Sequence, residues 1–399
     1  MPNSAGAAMF STWPFWALVI VAAAVYRLLP EDAVRVRAAV LAGLGLAGVW
    51  IVLGFSAPLL YALIAATAWM TLIVGRLGTS PGGRPTFMTA LVVAPVFVAW
   101  MLGKHLPDSA SHHLFFFTGT SYFLVKAWTL AKDRADGRIR NYDPLTAAAY
   151  FLHLPTYLSG PMHYYAEFES GLRRTHPLSA LSVVDIVLRF LWGLTKVAVL
   201  SPLIQPVSLL ALKGATDPSH AQMVLGAIAF SAVLYLDFSG YSDMAIAVSR
   251  LVGMDAPENF KLPYLARNIR EFWQRWHITF TRALTAYIFV PLSRVLQKHY
   301  SGSPRLVMII GYVVTFGFAG YWHGPTANFI VWGVYHAMGL IAYDLFRNGR
   351  LRLRVAGGAK VEVHPLLAKG QQWTAVTVTF LYVSMGWIFF VLPLGMIFR

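Results

Sequence analysis

Residues 304–346 read PRLVMIIGYVVTFGFAGYWHGPTANFIVWGVYHAMGLIAYDLF. Two apolar runs, 304–321 and 326–346, flank the turn Trp322–Asn328, which contains no Lys, Arg, Asp or Glu. Each run is close to the ~20 residues that a helix needs to cross a ~30 Å hydrocarbon layer. The pair therefore predicts two membrane-spanning helices joined by a tight, uncharged turn. His323 stands in that turn, in Tyr321-Trp322-His323-Gly324. A titratable group at membrane depth is costly, and by default it marks a functional site.

The same reading extends along the chain. Further apolar runs lie near 10–29, 36–54, 56–75, 86–103, 114–131, 145–160, 183–211, 222–251, 280–297 and 371–397. They predict an all-α polytopic transmembrane bundle of about eleven spans, with additional re-entrant or interfacial helices. The run 145–160 is short and broken by Pro155 and Gly160-Pro161. Such a break survives at membrane depth only when buried by protein or lining a cavity. Residues 268–276 place Ile269, Phe272, Trp273 and Trp276 at helical spacing, as in an amphipathic helix at the interface or tucked into the protein. No internal repeat appears, and residues 1–399 read as one membrane domain.

Composition agrees. The chain is 57% hydrophobic and 12% charged, against about 25% charged in an ordinary soluble domain. There is no cysteine, which excludes disulfides and thiolate nucleophiles. Lys and Arg number 32 against 17 Asp and Glu, a net charge of +15. The surplus suits a cytoplasmic positive bias, anionic lipid headgroups and acidic partners. It forms no contiguous stripe, which argues against nucleic acid. The basic loops 27–37, 132–140 and 347–369 are expected in the cytoplasm, with the N-terminus outside. Phe10–Leu29 reads as a retained first helix, since no basic segment precedes it and no small-residue cleavage site follows.

Of twelve histidines, His105, His112, His113, His220, His299 and His364 read as loop residues, and His176 as a loop residue facing headgroups. His153 and His163 flank the Pro155 break and are candidates for a substrate path. His336 reads as packing. His277, in Arg275-Trp276-His277, and His323 each follow a Trp at the edge of an apolar block. A neutral imidazole there can take a proton from an attacking hydroxyl, the minimal equipment for acyl transfer to an alcohol. No array of three metal ligands is visible, so no metal is expected. Asp237, inside the run 222–251, needs a partner at that depth; it can orient a histidine, pair with Arg275, or make a structural hydrogen bond. Ser239 and Ser242 lack a G-x-S-x-G elbow.

These residues, in order, resemble the membrane-bound O-acyltransferase family. The stretches are Leu236-Asp237-Phe238-Ser239-Gly240-Tyr241-Ser242-Asp243, Glu258-Asn259-Phe260-Lys261-Leu262-Pro263-Tyr264, Glu271-Phe272-Trp273-Gln274-Arg275-Trp276-His277, and Trp322-His323-Gly324 with Trp332-Gly333. The likeness runs over about 115–345 and is most like the bacterial branch of alginate and peptidoglycan O-acetyltransferases and the D-alanyl transfer protein of the teichoic-acid pathway. Ala135-Asp136-Gly137-Arg138-Ile139 and Leu154-Pro155-Thr156-Tyr157-Leu158-Ser159-Gly160-Pro161 lean toward the last of these. The chain departs from the family at Thr281-Arg282-Ala283-Leu284-Thr285-Ala286-Tyr287, which has no Asp or Trp, and at His336-Ala337.

The resemblance implies helices around a central funnel, with the essential histidine at His323 and the second at His277. Supporting candidates are Asp237 or Asn328 as partners of an imidazole, Trp322, Trp276 and Trp273 as excluders of water, and Arg275, Asn259 and Tyr241. It implies no permanently bound cofactor. The donor would be an acyl thioester, carried by an acidic acyl-carrier protein or by coenzyme A on the cytoplasmic side of a bacterial inner membrane. The acceptor would be an extracytoplasmic polysaccharide or partner protein. Competing expectations are a flippase or conduit for an activated intermediate and a non-catalytic scaffold, although no inverted repeat supports transport.

Overall fold

A computed structural model describes residues 9–52, 54, 57–76, 97, 98, 100, 120–157, 160–215, 217–357 and 365–398. The run 86–103 and the start of 114–131 lie largely outside these, as do His105, His112, His113, His364, Leu158 and Ser159. The described residues are helical with irregular connections and contain no strand. Five of the described helices are long and apolar enough to cross a membrane: Val34–Ile51, His220–Val252, Pro304–His323, Ala327–Arg347 and Gly370–Val391. The protein is an all-α polytopic membrane protein.

Several of the remaining runs are interrupted. The run 145–160 is a helix only over Pro144–Leu152, because Pro155 follows and forces a 3-10 turn at Leu154–Thr156. The run 183–211 is helical over Ala180–Thr195 and then widens into a π-turn at Lys196–Leu200. The run 280–297 is split in the same way at Thr285–Phe289. Two shorter apolar helices occupy Trp13–Leu28 and Leu63–Gly75.

By contact the chain divides into two compact units. The first comprises Met1–Ala198 and Asp237–Glu258. It contains α1 (Trp13–Leu28), α2 (Val34–Ile51), α3 (Ala57–Arg76), α4 (Thr120–Ala135), α5 (Pro144–Leu152), α6 (Tyr165–Leu172), α7 (Ala180–Thr195) and the C-terminal part of α8 (His220–Val252). Helices α7 and α8 meet backbone to backbone, since a Cβ at Gly193 would lie 2.6 Å from the Gly240 carbonyl and one at Gly240 would lie 2.7 Å from that of Gly193. Small residues allow this approach, which is how helices associate where lipid supplies no hydrophobic drive.

Beside that crossing lies an ion network. Asp243 accepts from Arg189 Nη2 at 2.9 Å and from Lys196 Nζ at 2.6 Å. Both Nη atoms of Arg189 also reach Glu258, each at 2.6 Å, and this holds the Glu258 carboxyl below the usual carboxylate range. Arg27 closes the C-terminal end of α8 by donating to the carbonyls of Arg250 at 2.7 Å and Leu251 at 3.0 Å, and to that of His176 at 2.7 Å.

The second unit comprises Val199–Leu236 and Asn259–Arg399. It contains the rest of α8, then α9 (Ile269–Arg275), α10 (Ile278–Leu284), α11 (Val290–His299), α12 (Pro304–His323), α13 (Ala327–Gly357) and α14 (Pro365–Val391). Asn268 caps α9 by accepting from the Glu271 backbone N–H at 2.8 Å. Ile269, Phe272 and Trp273 are all buried. Of the two positions expected for this amphipathic segment, the one tucked into the protein is realised.

The two helices read from residues 304–346 form a tight hairpin. A Cβ at Gly320 would sit 2.2 Å from the Phe329 carbonyl, and one at Gly333 would sit 2.1 Å from that of Phe316. Neither neighbour is a movable side chain, so the helices themselves must part to admit a methyl group. We expect Gly333→Ala to lower stability by about 1–3 kcal/mol, the usual cost of overpacking. The midpoint of thermal unfolding of the purified protein reads this directly; an unchanged midpoint would contradict the close approach.

Candidate active site

His323 is the last residue of α12 and is partly exposed. Its ring lies among aromatic rings of its own unit: Trp322 at 4.8 Å between centroids, Phe390 at 4.9 Å, Trp332 at 5.1 Å and Phe280 at 6.4 Å. The hairpin glycines fix its place, since α12 cannot slide against α13 without a backbone clash.

His277 is 3% exposed and sits at the joint between α9 and α10. Its backbone is left-handed, with φ 43° and ψ 54°, a conformation unusual for a residue with a Cβ. Phe280 stacks on its ring at 5.0 Å and reaches Trp322 at 4.5 Å. Phe280 thus touches both imidazoles, which are also electrostatic neighbours. Asn259, fully buried, places Oδ1 3.2 Å from His277 Nδ1.

The tryptophans form a wall beside these groups. Trp273 lies 5.0 Å from Phe316 and 6.0 Å from Trp332. Trp276 stacks on Phe272 at 5.6 Å and meets Phe260 at 5.1 Å. His336 is fully buried, 5.0 Å from Trp332 and 5.1 Å from Trp273. Such a shell keeps water from a reactive intermediate. The chemistry that the arrangement offers is proton transfer by imidazole in a largely dry setting. Among the described residues no group of three His, Asp or Glu side chains is placed to hold a metal.

A family model for the membrane-bound O-acyltransferases matches residues 84–353, more than half of the chain. The protein belongs to this family. This membrane-bound O-acyltransferase is 28% identical to the teichoic acid D-alanyltransferase of Bacillus subtilis, over 82% of this chain and 84% of the relative. It is 29% identical to a probable alginate O-acetylase of Pseudomonas fluorescens, over 81% of this chain and 60% of the relative. It is also 29% identical to the peptidoglycan O-acetyltransferase of Helicobacter pylori, over 62% of this chain and 44% of the relative. The chain therefore spans most of the first relative but less than two thirds of the other two. Its relatives are named as acyl, acetyl or D-alanyl transferases, and the protein is an acyltransferase.

The other anticipated residues of this acyltransferase are distributed as follows. Asn328 directs its amide nitrogen to the Phe389 carbonyl at 3.2 Å. Arg275 pairs with Glu271 at 2.6 Å, one turn back on α9, which supplies the carboxylate that Asp237 was considered for. Asp237 and Tyr241 lie on the part of α8 that belongs to the first unit, where the Tyr241 hydroxyl donates to the Pro155 carbonyl at 3.4 Å. His153 and His163 are buried in that unit as well. His153 Nε2 meets Ser249 Oγ at 3.3 Å, and His163 Nε2 donates to the Asp255 carbonyl at 2.9 Å.

Three further charged residues hold the structure together. Asp243, not Asp237, is the centre of the ion network on α8. Asp344, 4% exposed on α13, accepts from Tyr312 at 2.8 Å and pairs closely with Arg270, which ties α9 to the hairpin. Lys126 is 2% exposed and donates to the Tyr150 carbonyl at 3.1 Å. The signal for Asp344 was present: it is the one carboxylate in the run 326–346.

Proposed function

We propose that this acyltransferase transfers a D-alanyl or acetyl group from a thioester donor to hydroxyls of an extracytoplasmic envelope polysaccharide, with His323 as general base. The observation that carries the reading is the placement of His323, a partly exposed imidazole at the end of α12 within an aromatic shell, beside a second imidazole. The acceptor oxygen attacks the thioester carbonyl while His323 takes its proton. The tetrahedral intermediate then collapses, the C–S bond breaks, and the imidazolium returns the proton to the leaving thiolate. The product is an ester and a free thiol, and no redox partner is required.

Relatives named for teichoic acid, alginate and peptidoglycan support an envelope polymer as acceptor. The charge of +15 supports an acidic acyl-carrier protein or the phosphates of coenzyme A as the carrier at the cytoplasmic side of a bacterial inner membrane. Mass spectrometry of ester groups on purified envelope polysaccharide tests the reading in wild type, a deletion strain and His323→Ala. Loss of one ester species in both mutants is the expected result, and its mass names the acyl group. Ester lost on deletion but kept in His323→Ala would instead favour a conduit or scaffold.

A further inference from the structure

The hydrogen bonds around Asn259 determine which nitrogen of His277 carries its proton. Asn259 Oδ1 receives the backbone N–H of Thr279 at 3.3 Å and the Thr279 hydroxyl at 2.9 Å, and lies 3.2 Å from His277 Nδ1. A backbone N–H can only donate, so the shared side-chain atom is the amide oxygen. An oxygen facing an imidazole nitrogen requires that nitrogen to bear hydrogen. Neutral His277 is then the Nδ1–H tautomer, with its lone pair on Nε2.

Asn259 also holds the backbone of the same joint. Its carbonyl accepts from Ile278 N–H at 2.9 Å, and Lys261 N–H donates to the Arg275 carbonyl at 2.9 Å. The left-handed His277 is thus gripped on both sides by the segment 259–261. A non-glycine residue adopts this conformation uncommonly, and such strain persists where the surroundings over-determine it. Asn259 is fully buried, and His277 and Thr279 are each 3% exposed.

We propose that Asn259 is a positioning residue: it locks His277 with Nε2 as a hydrogen-bond acceptor, so that His277 receives an O–H of the acceptor polymer and cannot donate to the thioester carbonyl. This rests on the acyl-transfer reading above. His323 at the end of α12 faces His277, Arg275, paired with Glu271, ends α9 just before it, and Lys261 belongs to the segment that grips the joint.

The test compares Asn259→Leu with Asn259→Asp in the full-length protein in nanodiscs, with acetyl-CoA or a D-alanyl carrier-protein thioester as donor, whichever supports turnover. Asn259→Leu removes the oxygen and is expected to lower kcat about 10–100-fold, the usual loss when a partner that orients an imidazole is removed. Asn259→Asp keeps an acceptor for Nδ1–H and is expected to recover most of that loss. Its carboxylate favours imidazolium, so His277 remains protonated to higher pH, and the acid limb of the kcat/KM profile moves up by about 1–3 pH units.

A purely structural Asn259 predicts the reverse: the buried charge of Asn259→Asp harms as much as Leu, and the limb stays where it is. That outcome, or full kcat in Asn259→Leu, would overturn the proposal. Should Asn259→Leu fail to fold, the position of the limb in Asn259→Asp decides alone. His323→Ala runs alongside. If it is as active as wild type, the acyl-transfer reading fails; if it is inactive while Asn259→Leu is fully active, only the positioning role fails.

Discussion

His323→Ala is expected to reduce acyl-transfer turnover by about 10²–10⁴-fold, the contribution typical of a positioned general base. The loss should fall on kcat, with KM for the donor little changed. The imidazole acts on a proton that is in flight only in the transition state, and an interaction made only there is read in kcat. Folding should survive. His323 is partly exposed at a helix end, where truncation leaves the approaches of Gly320 to Phe329 and of Gly333 to Phe316 intact. Steady-state turnover on purified protein, with thermal unfolding as the control for folding, checks both halves. A His323→Ala protein that turns over at the wild-type rate would remove the base assignment.

The second large effect is on stability. Asp243 is the carboxylate between Arg189 and Lys196, and its side chain is 17% exposed against 21% and 8% for its partners. Asp243→Ala leaves the Lys196 ammonium in a setting too dry to hydrate it well. Breaking a buried pair in this way costs about 3–5 kcal/mol. Arg189 keeps Glu258, at 2.6 Å, so the damage should centre on Lys196. The double variant Asp243→Ala with Lys196→Met then recovers a large share of the loss, because no ammonium is left there without its carboxylate. Unfolding midpoints of the two single variants and the double variant form a cycle. Simple additivity of the two single losses would show that the pair is not coupled.

The class of the fold was legible because a spanning helix has a length requirement, and runs such as 304–321 and 326–346 meet it whatever their neighbours do. The breaks were less legible. Pro155 announces the end of α5, but Thr285–Phe289 contains neither Pro nor Gly, and Pro291 just beyond it marks an interruption without saying that it takes the form of a π-turn. His323 and His277 stood out because imidazole is rare beside long apolar runs. Their environment did not, because it is assembled from distant residues: Asn259 lies 18 positions before His277, and Phe390 lies beyond a further helix. Asp237 and Asp243 looked alike in the sequence, both inside one apolar run. What separates them is the face of α8 that meets Arg189 and Lys196, and helix faces are assigned by packing.

The left-handed backbone at His277 also narrows what evolution or a designer can place there. Only glycine adopts that conformation freely, while Asn, Asp and His accept it more readily than other side chains. β-Branched residues are strongly disfavoured before any chemistry is considered. Of the tolerated set, glycine brings no polar group and Asp brings a charge into a buried joint, which leaves Asn as the neutral replacement that satisfies both the backbone and the need for a polar side chain. The permitted alphabet at this position is therefore set by torsion angles first and by reactivity second.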